Sequence, residues 1–394
     1  MFQNTAVWLR IVLSFAVAMV IAFLMTPPVK RFAMQVGAMD VPRDGRRVHD
    51  HPVPRMGGLA IFLGFTVAMI LFVSFTTQVL GLMLGALIIA AMGAVDDIVN
   101  LRPWIKLSIQ IVAALVAIRC GIIFNAVSNP NILSDVLTIP IGSLSIPLTV
   151  LWIVGCTNAV NLIDGLDGLA VGVSAISSMT MLVVSLFVAD PNTTFILAAL
   201  CGACVGFMPF NMNPAKIFMG DVGSQFLGFV LACVSVMGLF KLHTVITFLV
   251  PVLAMAIPLA DTVFAFCRRI VHGQSPFHAD KGHFHHRLLA MGLNQKQAVA
   301  VLYGVSAVMG LVAVLLAGRD PVQRTICVVA AFAISLTVWV YAFSKGAKHK
   351  EQCAQCGGEG ECTCGEAKPE ANGEKVESEA KNEQTQEKIE QSNE

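Results

Sequence analysis

Charged side chains are scarce in this chain of 394 residues, at 13% of the total, and glutamate is absent from residues 1–350. An ordinary soluble domain is about one quarter charged, so these absences exclude a soluble domain of any size from that part of the chain. Residues 1–350 hold 13 aspartates against 22 lysines and arginines, whereas all 12 glutamates lie in residues 351–394. The sequence therefore combines a basic, apolar body with an acidic tail.

Motifs of two function classes are also missing. The sequence contains neither Gly-x-Ser-x-Gly nor His-Glu-x-x-His, which argues against an intramembrane hydrolase. It shows no pair of matching halves, which argues against a transporter, the alternative class for a polytopic protein. No small-residue cleavage site precedes Pro27, so the first apolar stretch is interpreted as an uncleaved span rather than a signal peptide.

Apolar residues are abundant, at 56% of the chain. A stretch of about 20 apolar residues crosses roughly 30 Å of hydrocarbon as a helix. Such stretches predict an all-α integral membrane protein with about 11 transmembrane helices, at 6–26, 57–76, 79–95, 105–125, 143–160, 168–189, 194–210, 224–240, 244–267, 297–317 and 323–344. The chain is accordingly divided into a polytopic membrane catalytic domain, 1–345, and a cytoplasmic, disordered tail, 346–394.

Lysine and arginine are distributed unevenly between the predicted loops. Thirteen lie in the loops on one side of the membrane, against Lys241 and Arg319 within the opposite loops. Because positively charged loops face the cytoplasm, the first side is predicted to be cytoplasmic in a bacterial cell membrane, with the amino terminus outside. Ten of the 13 aspartates fall on or near this face, where we expect the functional site.

Asp96 and Asp97 end the third predicted span. Adjacent residues of a helix point about 100° apart, so two separate roles are more natural than joint binding of one ion. A solvated pair that merely ends a helix explains these two residues equally well. The pair by itself is therefore weak evidence for a site.

A second cluster places carboxylate and amide side chains at intervals of three, at Asn158, Asn161, Asp164 and Asp167. Residues three apart are neighbours on a helix, and such oxygen ligands suit Mg²⁺. Turn formation and helix capping are the alternative explanation of these residues.

A third cluster, Gly220-Asp221-Val222-Gly223-Ser224, precedes another apolar span. Backbone N–H groups there can bind an anion and Asp221 a metal, although helix capping by Asp221 or Ser224 explains the same residues.

A fourth cluster, in the predicted loop 268–296, contains His283, His285, His286 and Arg287. The spacing does not match familiar zinc motifs, so contacts to sugar hydroxyls and phosphate oxygens are favoured. The first loop adds a basic surface suited to anions or lipid headgroups, with Arg46, Arg47, His49, His51 and Arg55. Asp261, two helical turns before Arg268, is interpreted as a structural ion-pair member.

Together these clusters resemble the polyprenyl-phosphate N-acetylhexosamine-1-phosphate transferases, over about residues 1–345. The residues that carry the resemblance are Asp96-Asp97, Leu101, Lys106-Leu107, Gln110, Asn158, Asn161, Asp164-Gly165-Leu166-Asp167-Gly168, Phe218-Met219-Gly220-Asp221-Val222-Gly223-Ser224 and His283-Phe284-His285-His286-Arg287-Leu288-Leu289. The branch it resembles is that of the undecaprenyl-phosphate GlcNAc-1-phosphate transferases in glycosyltransferase family 4. The alternative branch is the MurNAc-pentapeptide phosphotransferase of peptidoglycan synthesis. It usually has a basic residue soon after its aspartate pair, where this chain has Asn100, and a triple histidine followed by glutamate, where this chain has His283-Phe284-His285-His286-Arg287. Both differences favour the GlcNAc branch.

The resemblance implies transfer of GlcNAc 1-phosphate from UDP-GlcNAc to undecaprenyl phosphate, which starts a cell-surface glycan such as teichoic acid or the O-antigen of lipopolysaccharide. It implies Mg²⁺ as cofactor, with Mn²⁺ as an alternative, bound by Asp221 and Asp164, and it gives catalytic roles to Asp96 and Asp97. Substrate binding is implied for Asn158, Asn161, Asp167, Lys106, Arg268, His283, His285, His286 and Arg287. Direct attack and an aspartyl intermediate both stay open, as does a homodimer, and no nucleic-acid partner is expected.

Four cysteines of the tail, at 353, 356, 362 and 364, follow the pattern C-x₂-C-x₅-C-x-C. In a reducing compartment this pattern favours a bound metal over disulfides, although the spacing is not a standard one. The other seven cysteines lie in or beside apolar spans, where we expect them to pack as small apolar residues.

Overall fold

The structure is a computed structural model that describes residues 5–41, 52–124, 126–128, 138–188, 191–239, 245–271 and 283–317. The chain divides into two units, Met1–Tyr341 and Ala342–Glu394, and all described residues belong to the first. The predicted eleventh span at 323–344, the tail with its four cysteines, and the basic residues at 46–51 lie outside the described residues. Predictions about them stay predictions.

The described part of the chain is almost entirely helical. Its α-helices are α1 (Thr5–Gln35), α2 (Gly58–Phe72), α3 (Thr77–Val99), α4 (Pro103–Arg119), α5 (Ser145–Leu162), α6 (Leu169–Val188), α7 (Pro191–Asn211), α8 (Gly220–Val234), α9 (Val245–Ala254), α10 (Ala256–Val271), α11 (Phe284–Ala290) and α12 (Gln295–Leu316). Two short antiparallel ladders pair β1 (Met39–Asp40) with β2 (Val53–Pro54) and β3 (Ala126–Ser128) with β4 (Thr138–Pro140). A 3₁₀ turn precedes α5, and a π-helical turn, Ser235–Leu239, extends α8.

Seven helical segments among the described residues are long and apolar enough to cross a membrane. They are Thr5–Gln35, Thr77–Val99, Gly142–Leu162, Leu169–Phe187, Pro191–Asn211, Gly220–Gly238 and Gln295–Leu316. These segments confirm an all-α, multi-pass membrane protein, but they do not reach the predicted count of about 11. The predicted spans at 57–76 and 105–125 correspond to helices of 15 and 17 residues, and the one at 244–267 is divided between α9 and α10.

Local sequence sets the ends of the helices around the site. The Thr76 hydroxyl accepts the Val79 N–H at 3.3 Å at the start of α3, which is an ordinary N-cap. α3 ends at Asn100, whose φ of 52° is left-handed and whose N–H bonds the Asp96 carbonyl. Pro103 at the first turn of α4 then starts the next helix without an unsatisfied donor. The chain therefore reverses direction directly after the Asp96–Asp97 pair.

Small residues bring the helices close together. A Cβ at Gly202 or Gly206 of α7 would lie 2.1 Å from a carbonyl oxygen of α1, so α1 and α7 meet backbone to backbone, as in other membrane bundles. A Cβ at Gly93 of α3 would likewise lie 2.5 Å from the Val222 nitrogen of α8. Because Gly93 is one helical turn before Asp97, this contact places the carboxyl end of α3 against the amino end of α8.

Candidate functional site

Asp97 binds the amino end of α8 from the end of α3. Its Oδ1 accepts the Asp221 N–H at 3.0 Å and its Oδ2 accepts the Val222 N–H at 3.3 Å. Gly220 has a φ of +72°, and a Cβ there would lie 2.3 Å from Asp97 Oδ2, so only glycine fits this turn. The carboxylate also stabilises the positive end of the helix dipole. Asp97 thereby fixes the position from which Asp221 projects.

Lys106 joins Asp96 to Asp221. Its ammonium nitrogen lies 2.7 Å from Asp96 Oδ2 and 2.7 Å from Asp221 Oδ2, and Asp96 Oδ1 accepts the Leu101 N–H at 2.7 Å. Asp96 and Asp97 thus point to different partners, as their 100° offset predicts. The side chains of Lys106 and Asp221 are each 23% exposed, against 1% for Asp97, so a ligand can reach the first two side chains but not the third.

Amide side chains hold the Asp221 carboxylate from the other sides. Asn161 donates to Asp221 Oδ1 at 3.2 Å and to the Ser224 hydroxyl at 2.8 Å. Gln225, one turn further along α8, donates to Asp221 Oδ2 at 2.6 Å. Hydrogen bonds to a charged carboxylate are the strong ones, so this set of donors fixes the orientation of Asp221.

The amide network continues into the membrane-spanning bundle. The Gln110 side chain donates to Gln225 Oε1 at 2.8 Å, and the Asn158 side chain donates to Gln110 Oε1 at 2.7 Å. Asn158, a predicted substrate-binding residue, is therefore separated from Asp221 by a chain of three hydrogen bonds through Gln110 and Gln225. Gln225 was missed by the sequence prediction, although a glutamine inside an apolar span signals a polar interior.

Asp164 lies in the turn between α5 and α6 and is half-buried. Burial, together with the negative charges of Asp221, Asp97 and Asp167, raises the pKa of its carboxyl to about 8. This excess of carboxylates favours a bound cation, and Mg²⁺ commonly uses one or two carboxylates together with substrate phosphates and water. The donor set therefore fits Mg²⁺. No group of three histidine, cysteine or acidic residues in the described ranges could hold a metal unaided.

Asp167 turns toward the segment before α8. Its Oδ2 accepts the Asn213 side-chain amide at 2.9 Å and the Ala215 N–H at 3.0 Å. Asn213 also donates to the Gln295 side chain at 2.6 Å. These contacts give Asp167 a part in shaping the site, and its predicted binding of substrate stays a prediction.

Arg55 is a site residue that the sequence prediction did not single out within its basic loop. Its Nε lies 3.0 Å from the Asp97 carbonyl oxygen, and its Nη2 donates to Asn100 Oδ1 at 2.7 Å. The strand before it is tied to the turn that precedes α8, because the Phe218 N–H bonds the Pro54 carbonyl at 2.8 Å. Arg55 thus adds a half-buried cation beside Asp97, with its Nε 3.8 Å from Asp97 Oδ1.

The first residues of the histidine cluster bind Asp261, a buried carboxylate of α10. Asp261 Oδ2 lies 2.8 Å from His283 Nδ1, and Asp261 Oδ1 accepts the Phe284 N–H at 2.7 Å. The structure thus gives Asp261 a hydrogen-bonded partner in His283, and its predicted role in an ion pair stays a prediction. Two predicted binding residues, Arg268 and Arg287, lie over one phenylalanine ring, Phe264, at 5.9 and 5.3 Å from its centroid.

His285 connects this cluster to the turn of Asp164. Its ring is parallel to that of His283, and the centroids of the two rings are 5.8 Å apart. The centroids of the His285 and His286 rings are 4.3 Å apart. A Cβ at Gly165 would lie 2.5 Å from His285 Nε2, so the ring packs directly on the Gly165 backbone. Burial, together with the neighbouring His286 and His283, lowers the pKa of His285 to about 4, against the opposing effect of Asp261. His285 is therefore a neutral imidazole beside Asp164.

Comparisons with known proteins find relatives that match most of this chain. The family profile described as Glycosyl transferase family 4 matches residues 79–239. A probable undecaprenyl-phosphate N-acetylglucosaminyl 1-phosphate transferase of Bacillus subtilis is 39% identical over 309 residues, 78% of this chain and 85% of the relative. A decaprenyl-phosphate N-acetylglucosaminephosphotransferase of Mycobacterium tuberculosis is 35% identical over 73% of this chain and 77% of the relative. A phospho-N-acetylmuramoyl-pentapeptide-transferase of Heliobacterium modesticaldum is 30% identical over 79% and 97%.

Proposed function

The chain belongs to the polyprenyl-phosphate N-acetylhexosamine-1-phosphate transferases of glycosyltransferase family 4, and on this premise we propose that it transfers GlcNAc 1-phosphate from UDP-GlcNAc to undecaprenyl phosphate. The products are undecaprenyl-diphosphate-GlcNAc and UMP. The choice of GlcNAc is supported by the 39% identity to the Bacillus subtilis relative, against 30% for the pentapeptide transferase.

The observation that carries the proposal is the position of Lys106. Its ammonium group is shared between two carboxylates, at 2.7 Å from each, and is partly exposed. A cation that is already fixed in this way loses little conformational entropy when it contacts a phosphate oxygen. Positioning and preorganised charge of this kind account for most of the catalysis in phosphoryl transfer. We infer that Lys106 binds a phosphate of the donor or of the lipid.

The reaction needs positioning and charge neutralisation rather than covalent help. A phosphate oxygen of the lipid attacks the β-phosphorus of UDP-GlcNAc, and the bond from that phosphorus to the oxygen shared with the α-phosphorus breaks, so UMP leaves with the electron pair. Asp97 has both oxygens bound to backbone N–H groups, which disfavours it as a covalent nucleophile and supports direct attack. We infer that Asp97 positions Asp221 and that Asp96, through Lys106, orients the lipid phosphate.

Asp221 and Asp164 are the residues that would hold Mg²⁺, since the donor set there fits a hard cation. Mg²⁺ would supply neutralisation of the charge that develops on the leaving phosphate. Asn161 then serves chiefly to orient Asp221, to which it donates at 3.2 Å. Mn²⁺ prefers the same oxygen ligands and is proposed as a substitute.

The sugar-phosphate is proposed to bind between the Asp164 turn and α11. His285 reaches that turn over Gly165, and His283, His286 and Arg287 come with it on the same segment. Neutral imidazoles can both donate to and accept from sugar hydroxyls, while Arg268 and Arg287 suit phosphate oxygens.

The site is proposed to face the cytoplasm of a bacterial cell, where UDP-sugars are made, because the loops beside it hold most of the lysine and arginine. The lipid-linked product would then be the first membrane-bound intermediate of a surface glycan such as a teichoic acid or an O-antigen.

Purified protein with UDP-GlcNAc, undecaprenyl phosphate and Mg²⁺ tests the proposal. Equal amounts of UMP and of labelled GlcNAc in the lipid fraction are expected, with loss of both on adding a chelator. Asp221→Asn should lower turnover at least about a hundredfold, while the matched change Asp320→Asn, in a predicted loop on the opposite side, should not. If the protein preferred UDP-MurNAc-pentapeptide to UDP-GlcNAc, the proposed donor would be wrong. The proposed type of reaction, transfer of a sugar 1-phosphate to a lipid phosphate, would still hold.

A further inference from the structure

Asp261 is a buried carboxylate that the proposed reaction does not use directly. It is 2% exposed in the middle of α10, and a carboxylate in such a helix is costly unless it is paired. Both of its oxygens are taken up by the start of α11, more than 20 residues further along the chain. The pairing is therefore built by the fold and not by neighbouring sequence.

The two contacts fix two different features of α11. The bond from the Phe284 N–H at 2.7 Å caps its first turn, where donors otherwise lack partners. The contact at 2.8 Å with His283 Nδ1 sets the protonation of the ring, because an ionised carboxylate accepts a hydrogen bond and cannot donate one. Nδ1 must carry the proton, which leaves Nε2 as the nitrogen available to a ligand.

The position that Asp261 gives to His283 also affects His285, the next histidine of the cluster. The His283 ring is stacked on His285 at an angle of 7°, and His285 packs on Gly165 beside Asp164. A displaced His283 would shift the ring on which the contact between α11 and the Asp164 turn depends.

We propose that Asp261 is a positioning residue for the transferase reaction, which holds His283 with its proton on Nδ1 and seats the histidine segment of α11 on the Gly165 turn for binding of the nucleotide sugar. This inference rests on the proposed function for the identity of the substrate. It does not rest on the proposed function for the position of the proton on the His283 ring.

Asp261→Asn is the variant that separates positioning from mere packing. An asparagine whose oxygen still accepts the Phe284 N–H directs its NH₂ group at His283, so Nδ1 must become the acceptor and the proton moves to Nε2. The ¹⁵N spectrum of histidine-labelled protein should show this exchange of ring nitrogens, with the His283 signal identified by its loss in His283→Asn. Cys267→Ala, an exposed change on the same helix, should leave the spectrum unaltered.

Kinetics supply the second readout. Asp261→Asn should lower kcat/KM for UDP-GlcNAc about 10- to 100-fold, as loss of a carboxylate partner does for other functional histidines. KM for undecaprenyl phosphate should stay within about twofold. Because Asp261 acts through His283, Asp261→Asn combined with His283→Asn should be no worse than His283→Asn alone.

Three results would overturn the proposal: a wild-type ring that carries its proton on Nε2 only, a wild-type kcat/KM in Asp261→Asn, or losses that multiply in the double variant. The wild-type spectrum needs neither a folded variant nor turnover. If the wild-type protein uses another nucleotide sugar, the proposed donor is wrong, and the spectrum still decides the role of Asp261.

Discussion

Lys106 Nζ lies 2.7 Å from Asp221 Oδ2, although the two residues are 115 positions apart in the chain. The same nitrogen lies 2.7 Å from Asp96, so one ammonium group compensates two carboxylates on different helices. Removing it leaves both charges without their shared partner, and an uncompensated, partly buried charge is expensive.

Lys106→Met should therefore lower turnover by at least about a hundredfold and also weaken the contact between α3 and α8. The measurement is kcat with both substrates saturating, with the melting temperature followed in parallel. Lys296→Met, at the first turn of α12, is the matched control. Turnover near the wild-type value in Lys106→Met would remove the central support for the proposed function.

Gly165→Ala should be a severe change, because the added methyl carbon would lie 2.5 Å from His285 Nε2. We expect the histidine segment to be displaced and kcat/KM for UDP-GlcNAc to fall at least about tenfold, since small misplacements of binding groups have large effects. Gly155→Ala on α5, where a Cβ meets nothing within 4 Å, should be harmless. Equal activity of the two variants would show that His285 does not need its place on Gly165.

The lowered pKa of His285 predicts how stability depends on pH. The folded value is about 4 against an ordinary value of 6.5, so between these limits the unfolded chain binds the extra proton and the folded chain does not. Stability from this group is intact above about pH 6.5 and is lost as the pH falls toward about 4.

His285→Gln should remove that contribution. Melting temperatures of wild type and variant, measured from about pH 7.5 to about pH 5, should converge on acidification, because the wild type loses more stability. The slopes are compared rather than the absolute values, since Asp164, whose pKa is raised to about 8, acts in the opposite direction in both proteins. Parallel slopes would contradict the assignment of a neutral, buried His285.

The proposed orientation places the site and the tail in the cytoplasm. In a Cys120→Ala background, which removes the partly exposed cysteine at the outer end of α4, a membrane-impermeant maleimide should therefore label the protein only after cells are made permeable, when exposed Cys267 and the tail cysteines become reachable. Ser74→Cys, between α2 and α3 at the opposite end of these helices, should be labelled in intact cells. A reversed pattern would invert the topology and remove the reducing environment on which a metal-binding tail depends.

The fold class and the residues of the candidate site could be predicted from composition and spacing. Lack of charge in the body, long apolar stretches and the confinement of glutamate to the tail determine a helical membrane protein, because hydrocarbon admits only helices or closed barrels. The four polar clusters were recognisable because charged and amide side chains are costly in apolar surroundings and are retained there for a purpose. Their order also carried the resemblance to the family.

The tertiary structure decided which members of these clusters meet. Spacing indicated that Asp96 and Asp97 diverge, but not that Asp97 would cap α8 or that Lys106 would bridge to Asp221. Nor could it show that Asn158 is connected to Asp221 only through three hydrogen bonds, or that Asp261 holds His283. The contact of Asp97 with α8 depends on the close approach of Gly93 to the Val222 backbone and on the space that Gly220 leaves for the Asp97 carboxylate. Such packing between helices is not recorded in any local pattern of side chains.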